Sequence, residues 1–259
     1  MTGAVLCVRE AAVATVILSN PGKLNAIDFA MWQELTAVVN DLAADRQVRC
    51  VVLRGEGEQA FAAGGDIEEF RVRRDTLDHA LAYHAQVGAA LQAVSACPQP
   101  TLALVHGACI GGGLELAAQC DLRICGKSSR FGAPINQLGF SMYPVEMEGL
   151  LRLAGTATLL EILLEGRILD AAEALAKGLV TRVVADAAVV GEAYASARRI
   201  CEGAPLVARA HKQWVRRLQS DVPLSGEELR ASFAFLESED YREGLAAFLE
   251  KRKPNFRGC

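Results

Sequence analysis

The sequence predicts an α/β fold with a helical C-terminal part, and three observations lead to this fold class. Short apolar runs typical of strands alternate with amphipathic helix patterns in the first half of the chain. Glycine-rich turns stand between a strand and the start of a helix at two places. After about residue 144, helical patterns follow one another with almost no strands between them. A layered core, or a coil of ββα turns, would bury these segments.

The first half of the chain carries five strand patterns and three helix patterns. Asp28 is expected to cap the first helix, because apolar residues from Met31 to Leu42 follow it with a 3.6-residue period. The strand patterns are short apolar runs bounded by turn residues. Strands are predicted at residues 4–8, 13–18, 50–53, 101–105 and 122–125, and the two further helices at residues 66–70 and 77–94.

Helix patterns fill the second half of the chain, and no Ser/Gly-rich linker separates it from the first. We therefore predict one continuous structural unit, with a core at residues 1–200 and a C-terminal helical region at residues 201–259. The helices are expected at residues 145–154, 157–164, 171–176, 187–202, 205–219, 225–236 and 241–251.

The composition argues against several classes of protein. The 259 residues include 27 Lys and Arg against 31 Asp and Glu, whereas a general nucleic-acid binder needs a basic surface. The eight cysteines form no Cys-x-x-Cys pair, and no histidine lies at metal-ligand spacing from them. We therefore expect reduced thiols and no bound metal. No apolar stretch reaches the roughly 18 residues of a membrane span, and no signal pattern is present. These features predict a cytoplasmic protein without membrane or nucleic-acid partners.

Two glycine-rich segments are the first candidates for a binding site. They read A-F-A-A-G-G-D-I at residues 60–67 and H-G-A-C-I-G-G-G-L-E-L-A at residues 106–117. Glycine allows close approach of the backbone to a ligand, and a helix N-terminus offers unpaired N–H groups that favour negative charge. The alternative is that these glycines only serve tight turns.

Glu115 strengthens the case for a binding site at the second glycine-rich segment, residues 106–117. It follows Gly112 by three residues, so both lie on the same side of one helical turn, and its side chain leans toward the helix N-terminus. Its apolar neighbours in the sequence argue against a solvated position. The helix dipole favours the charged carboxylate and an apolar pocket favours the neutral acid, so the sequence leaves the sign of its pKa shift open.

The order of these motifs resembles that of the crotonase superfamily, also called the enoyl-CoA hydratase/isomerase family. The resemblance covers nearly the whole chain, and it implies a spiral of ββα units, an acyl-CoA substrate and a homotrimer or hexamer built through the C-terminal helices. It implies no metal or prosthetic group, because coenzyme A arrives as part of the substrate. The matching segments are residues 20–26, 60–67, 106–117, 120–123, 131–134, 166–168, 173–174, 178–180 and 248–254.

The resemblance also implies roles for individual residues. The backbone N–H groups of Gly65 and Gly112 would form an oxyanion hole that polarises the thioester carbonyl and holds an enolate. Glu115 would be the acid–base residue beside it. The residues implied for substrate and CoA binding are Lys23, Leu24, Ala26, Ala63, Asp66, Ile67 and Pro134, with Phe248 and Lys251 approaching the adenine end, often from a neighbouring subunit.

One position departs from the hydratase pattern of the family. A second glutamate is expected directly after the proline of the F-G-x-P segment, but Ile135 stands there. Isoleucine neither donates nor accepts a proton, whereas hydration needs one group to activate water and another to protonate carbon. Three alternatives stay open. Glu115 alone could catalyse hydration, the protein could catalyse a different reaction, or another side chain could replace the missing second glutamate.

Further residues and reactions belong to these alternatives. The candidates for replacement are Tyr143, Glu146 and Glu148, although both glutamates would face solvent on an ordinary amphipathic helix. The different reactions are those of an isomerase, or of a lyase, decarboxylase or hydrolase of another acyl-CoA. A non-catalytic acyl-CoA-binding protein is the remaining class. Residues 79–87 and 140–148 are expected to line the acyl pocket, with the helix at residues 77–94 as its most mobile wall.

Overall fold

Ten strands are present in the computed structural model, which describes residues 3–259. Six of them form a larger sheet in the order β1-β2-β3-β5-β7-β10 and four form a smaller sheet in the order β4-β6-β8-β9. Their bounds are β1 (Ala4–Glu10), β2 (Val13–Ser19), β3 (Cys50–Gly55), β4 (Ala60–Ala62), β5 (Thr101–Val105), β6 (Ala108–Ile110), β7 (Leu122–Gly126), β8 (Arg130–Gly132), β9 (Ile168–Asp170) and β10 (Arg182–Val184).

From β3 to β8, consecutive strands alternate between the two sheets. Strands β3, β5 and β7 lie parallel in the larger sheet, and each is followed along the chain by β4, β6 or β8 of the smaller sheet. A helical segment then leads back to the next pair, so the chain coils through repeated ββα turns. The predicted strands of the larger sheet are present, whereas the strands of the smaller sheet, three residues each, were missed because so short a run carries no periodicity.

Ten α-helices complete the described part of the chain. No helix of residues 3–259 combines the length and apolar character needed to cross a membrane. The helices are α1 (Phe29–Ala44), α2 (Phe70–Arg73), α3 (Leu77–Ala96), α4 (Gly112–Gln119), α5 (Pro144–Glu165), α6 (Ala171–Ala176), α7 (Val189–Glu202), α8 (Pro205–Arg217), α9 (Gly226–Ala231) and α10 (Glu239–Leu249).

Helix boundaries follow the capping residues. The Asp28 side chain accepts a hydrogen bond from the Met31 N–H at 2.9 Å, which confirms the predicted cap of α1. The two helices predicted at residues 145–164 are the single element α5, but Gly155 interrupts it with φ 75° and ψ 171°. The helix predicted at residues 225–236 was wrong in its second half, because α9 ends at Ala231 and a 3-10 turn occupies Ala234–Glu237.

The central strands β2, β3, β5 and β7 of the larger sheet are mostly buried, which explains why they read as nearly continuous apolar runs, whereas the edge strand β1 is largely exposed. Alternate residues of a strand point to opposite faces. Cys50 and Val52 pack with α7 on one face, whereas Val51 and Leu53 pack into the main core with α1 and α3 on the other. The smaller sheet and α4 extend this main core, so the two glycine-rich turns sit at its rim.

Candidate active site

The two glycine-rich turns meet at the start of α4. A Cβ atom added to Gly112 would lie 3.4 Å from the backbone nitrogen of Gly65, so the two amide groups are neighbours. The turns need glycine before each of them, because Gly64 has φ 110° and Gly111 has φ 48°. The same added Cβ at Gly112 would meet the Trp32 ring at 3.0 Å, which leaves little space for a side chain there.

The N–H groups of Gly65 and Gly112 have no hydrogen-bond acceptor among residues 3–259. Their neighbours are satisfied, since the Asp66 N–H donates to the Ile27 carbonyl at 2.9 Å and the Gly111 N–H donates to the Gly132 carbonyl at 2.8 Å. Two adjacent, unpaired donors at a helix N-terminus form a site for an oxygen that carries negative charge. Oxyanion holes are built from backbone donors of this kind.

Both glycines line a cavity of about 250 Å³. Since an apolar cavity of about 150 Å³ can hold benzene, this volume suits a short acyl group. Its wall includes the polar side chains of Tyr83, His84, Glu115 and Glu146 from helices α3, α4 and α5, and that of Arg74, which follows α2. The apolar side chains of the wall include Trp32, Phe70, Val87, Ile135, Phe140 and Met142. The predicted lining stretches, residues 79–87 and 140–148, thus both contribute to the wall.

Glu115 reaches this cavity from the first turn of α4 and is only 6% exposed. Burial raises the pKa of its carboxyl well above the ordinary value, and the charge of Glu146 raises it further. The Arg74 guanidinium opposes these effects but does not reverse them. The question that the sequence left open is answered: the pKa of Glu115 is raised, because burial is the largest influence on this carboxyl.

Glu146 is the second carboxyl group of the cavity. It lies on the first turn of α5, is 5% exposed, and its Oε1 is hydrogen-bonded to Nδ1 of His84 at 2.5 Å. The Tyr143 ring stacks on the His84 ring with centroids 4.9 Å apart. The interpretation that Glu146 faces solvent was wrong, because α3 covers this turn; Glu148, two residues on, is exposed.

The other predicted binding residues divide into two groups. Ala63, Ile67 and Pro134 line the cavity beside Gly65. Lys23, Leu24, Ala26 and Asp66 lie outside its wall, although the Ala63 N–H donates to the Leu24 carbonyl at 3.1 Å. Lys23 is held by ion pairs with Asp66 at 2.6 Å and Glu68 at 2.7 Å.

Phe248 and Lys251 lie far along the chain, at the end of α10. Both side chains are exposed, and neither lines the cavity. A role in CoA binding from a neighbouring subunit therefore stays a prediction for both residues.

Sequence reasoning missed Arg74 as a site residue, and it did not single out His84 within the predicted lining stretch at residues 79–87. His84 follows no motif, and its contact with Glu146 joins residues 62 positions apart. The aromatic residues Phe70 and Phe140, which flank Arg74 in the fold, are likewise 70 positions apart in the sequence. A pattern within one segment gives no signal for such pairs.

A larger groove, of about 790 Å³, lies between α8 and the body of the protein. Three of its charged groups are paired with one another, since Lys212 contacts Asp121 at 2.6 Å and Arg216 contacts the same carboxylate at 3.1 Å. Lys212 also donates to the Gln99 carbonyl at 2.9 Å. These contacts anchor α8, and the smaller cavity remains the candidate active site because it holds the unpaired N–H groups.

The raised pKa of Glu115 predicts a pH-dependent cost to folding. Between the ordinary carboxyl pKa and the raised value, the folded state binds more protons than the unfolded state, so stability falls as pH rises. We expect Glu115→Gln to unfold at higher urea concentration than the wild type at pH 8, with a smaller difference near pH 5. Urea titrations at both values measure this, and a difference independent of pH would contradict it.

Comparison with known proteins agrees with the fold. The family described as enoyl-CoA hydratase/isomerase matches residues 8–259. A short-chain-enoyl-CoA hydratase of Clostridium acetobutylicum is 31% identical over 251 residues, covering 96% of this chain and 95% of that protein. The chain therefore belongs to the enoyl-CoA hydratase/isomerase family, as its motifs predicted.

Two solved structures extend this comparison. An enoyl-CoA hydratase/carnithine racemase from Magnetospirillum magneticum superposes with a TM-score of 0.97 at 49% identity, covering 98% of this chain and 96% of that one. An enoyl-CoA hydratase from Bacillus anthracis gives a TM-score of 0.91 at 27% identity over the full length of both chains. The predicted crotonase-like fold is confirmed.

Proposed function

We propose that this chain is a hydratase that adds water reversibly to a short 2-enoyl-CoA thioester. The observation that carries the proposal is that Glu115 and Glu146 line the same small cavity as the unpaired N–H groups of Gly65 and Gly112. Hydration needs two proton-transferring groups beside a polarised carbonyl. Glu146 supplies the group that Ile135 lacks.

The thioester oxygen would accept hydrogen bonds from both glycine amides. These donors stabilise the negative charge that develops on that oxygen, and removal of one such donor typically costs about 10²–10³ in rate. Water then attacks the β-carbon and yields its proton to Glu146, whose carboxyl is oriented by His84. Glu115 delivers a proton to the α-carbon, because its raised pKa keeps the acid form available.

A panel of thioesters tests this proposal. The enzyme is incubated with crotonyl-CoA, a 3-enoyl-CoA, a malonyl-type CoA and a 3-hydroxyacyl-CoA, and the products are read by mass. We expect crotonyl-CoA to gain one water and the 3-hydroxyacyl-CoA to lose one. Conversion of the 3-enoyl-CoA without hydration would assign an isomerase instead, and no turnover of any member would leave only an acyl-CoA-binding protein.

The binding of CoA itself belongs to the same proposal. Lys23, Leu24, Ala26 and Asp66 would flank the pantetheine at the cavity entrance, and CoA would be the only cofactor-like group, carried by the substrate. The family resemblance and the position of Ala63 beside the Leu24 carbonyl support this arrangement.

We also propose a homotrimer or hexamer in the cytoplasm, with subunit contacts through the C-terminal helices. Support comes from large apolar side chains that a single chain leaves uncovered there. Phe233 is 60% exposed, and Phe248 and Leu249 at the end of α10 are 81% and 72% exposed. Burying such groups between subunits is favourable.

A further inference from the structure

Arg74 transfers no proton in the proposed reaction, yet it lines the same cavity. It directly follows the last turn of α2, and its guanidinium lies between two aromatic rings. The Cζ atom is 4.3 Å from the centroid of Phe70 and 4.3 Å from that of Phe140. The two rings are 78° apart in orientation, so the cation lies in the corner that they form, where aromatic faces attract a positive charge. This is a fixed position for a positive charge.

One phenyl ring separates this cation from the oxyanion hole. A Cβ atom added to Gly65 would lie 3.4 Å from Cζ of Phe70, and the same ring stacks against Arg74. A thioester whose carbonyl oxygen is bound at Gly65 would therefore direct a short acyl chain past Phe70 toward the guanidinium. The far end of that chain would meet a positive charge, instead of the apolar wall that suits a methyl group.

Among the described residues, Arg74 makes no close ion pair, although its charge lowers the pKa of the Glu115 carboxyl. Across residues 3–259, no carboxylate oxygen lies within 4.0 Å of its guanidinium nitrogens. The other charged groups of the cavity are accounted for. Glu146 is bonded to His84, and the raised pKa of Glu115 favours its neutral form. A cation without a close partner favours an anionic ligand, and a guanidinium binds carboxylates in two parallel hydrogen bonds.

We propose that Arg74 binds a carboxylate at the distal end of the acyl chain, so that the substrates are CoA thioesters of short dicarboxylic acids. This inference rests on the proposed function, because it assumes that the thioester occupies the Gly65 and Gly112 amides. The phosphates of CoA are a second source of anionic oxygen. They are present in every CoA thioester, so a matched pair of ligands separates the two sources.

The test uses two saturated thioesters that cannot be hydrated. Glutaryl-CoA and pentanoyl-CoA have the same CoA and the same number of acyl carbons, but only glutaryl-CoA ends in a carboxylate. Binding to the purified wild type is measured by calorimetry. We expect glutaryl-CoA to bind about 10- to 100-fold more tightly, which is the usual worth of a hydrogen bond to a charged group.

Variants assign this preference to Arg74. In Arg74→Gln the ratio of the two dissociation constants should fall to near one, and Arg74→Lys should keep part of it. Arg73→Gln is the matched control, because Arg73 is the adjacent arginine, lies over the Phe29 ring at 4.2 Å and does not line the cavity. The Arg73 variant should keep the wild-type ratio, and circular dichroism confirms that each variant is folded.

Two failures are distinguishable. The role of Arg74 is overturned if the wild type binds both thioesters equally, and the proposed function then stays intact. It is also overturned if Arg74→Gln weakens the binding of both thioesters equally. That second result would assign Arg74 to a CoA phosphate. Failure of the wild type to bind either thioester would instead overturn the proposed function itself.

Discussion

Glu115→Gln is expected to lower kcat/KM for crotonyl-CoA by about 10³-fold or more. Glutamine keeps the size of the side chain in its buried position but has no proton to transfer, and general acid catalysis typically contributes 10²–10⁴. Initial rates of hydration, followed by loss of the enoyl-thioester absorbance, measure the effect. A rate within tenfold of the wild type would remove Glu115 from the mechanism.

A binding measurement separates chemistry from folding in this variant. The Gly65 and Gly112 amides belong to the backbone and are unchanged by Glu115→Gln. Butyryl-CoA, a saturated ligand that cannot react, should therefore bind within a few-fold of its wild-type affinity. Loss of binding together with activity would indicate a disrupted site instead of a missing proton donor.

Glu146→Gln is expected to lower kcat by about 10²-fold, within the usual range for loss of a general base. Its neighbour Glu148 offers the matched control, since it lies on the same helix but is exposed. Glu148→Gln should keep wild-type activity. Full activity of Glu146→Gln would contradict the proposal that this residue replaces the missing second glutamate.

A double variant tests whether His84 acts through the Glu146 carboxyl. If His84 acts through the Glu146 carboxyl, to which it is hydrogen-bonded at 2.5 Å, the two residues form one unit. The double variant His84→Gln with Glu146→Gln should then be no slower than Glu146→Gln alone, because residues that act as a unit are non-additive. Multiplication of the two single effects would show that His84 has a separate role.

The sequence predicted the part of the site that local spacing determines. Gly112 and Glu115 lie within one helical turn, so their relative placement follows from helix geometry. The neighbouring position of Gly65 came from the family resemblance, since nothing within residues 60–67 alone indicates which turn it meets. Only the tertiary fold brings Gly65 next to the helical turn that carries Gly112 and Glu115.

The residue that replaces the missing glutamate could be narrowed to Tyr143, Glu146 and Glu148, but the sequence could not select one of them. Glu146 and Glu148 both follow Pro144 near the start of a helix, and no local pattern distinguishes a buried glutamate from an exposed one there. Helix α3 determines which of the two glutamates is buried, because it brings His84 over Glu146. Burial that depends on a distant helix is a tertiary property, and sequence periodicity does not record it.

The ion pairs of Lys23 bear on how a ligand first reaches the protein. One ammonium group faces two carboxylates, Asp66 and Glu68, at the predicted entrance, and the whole chain carries a formal net charge of −4. Coenzyme A is itself strongly anionic, so the entrance offers little long-range attraction to it. Encounter should therefore proceed at ordinary diffusive rates with weak dependence on ionic strength. Recognition would begin only at contact, when the thioester oxygen reaches the two amides.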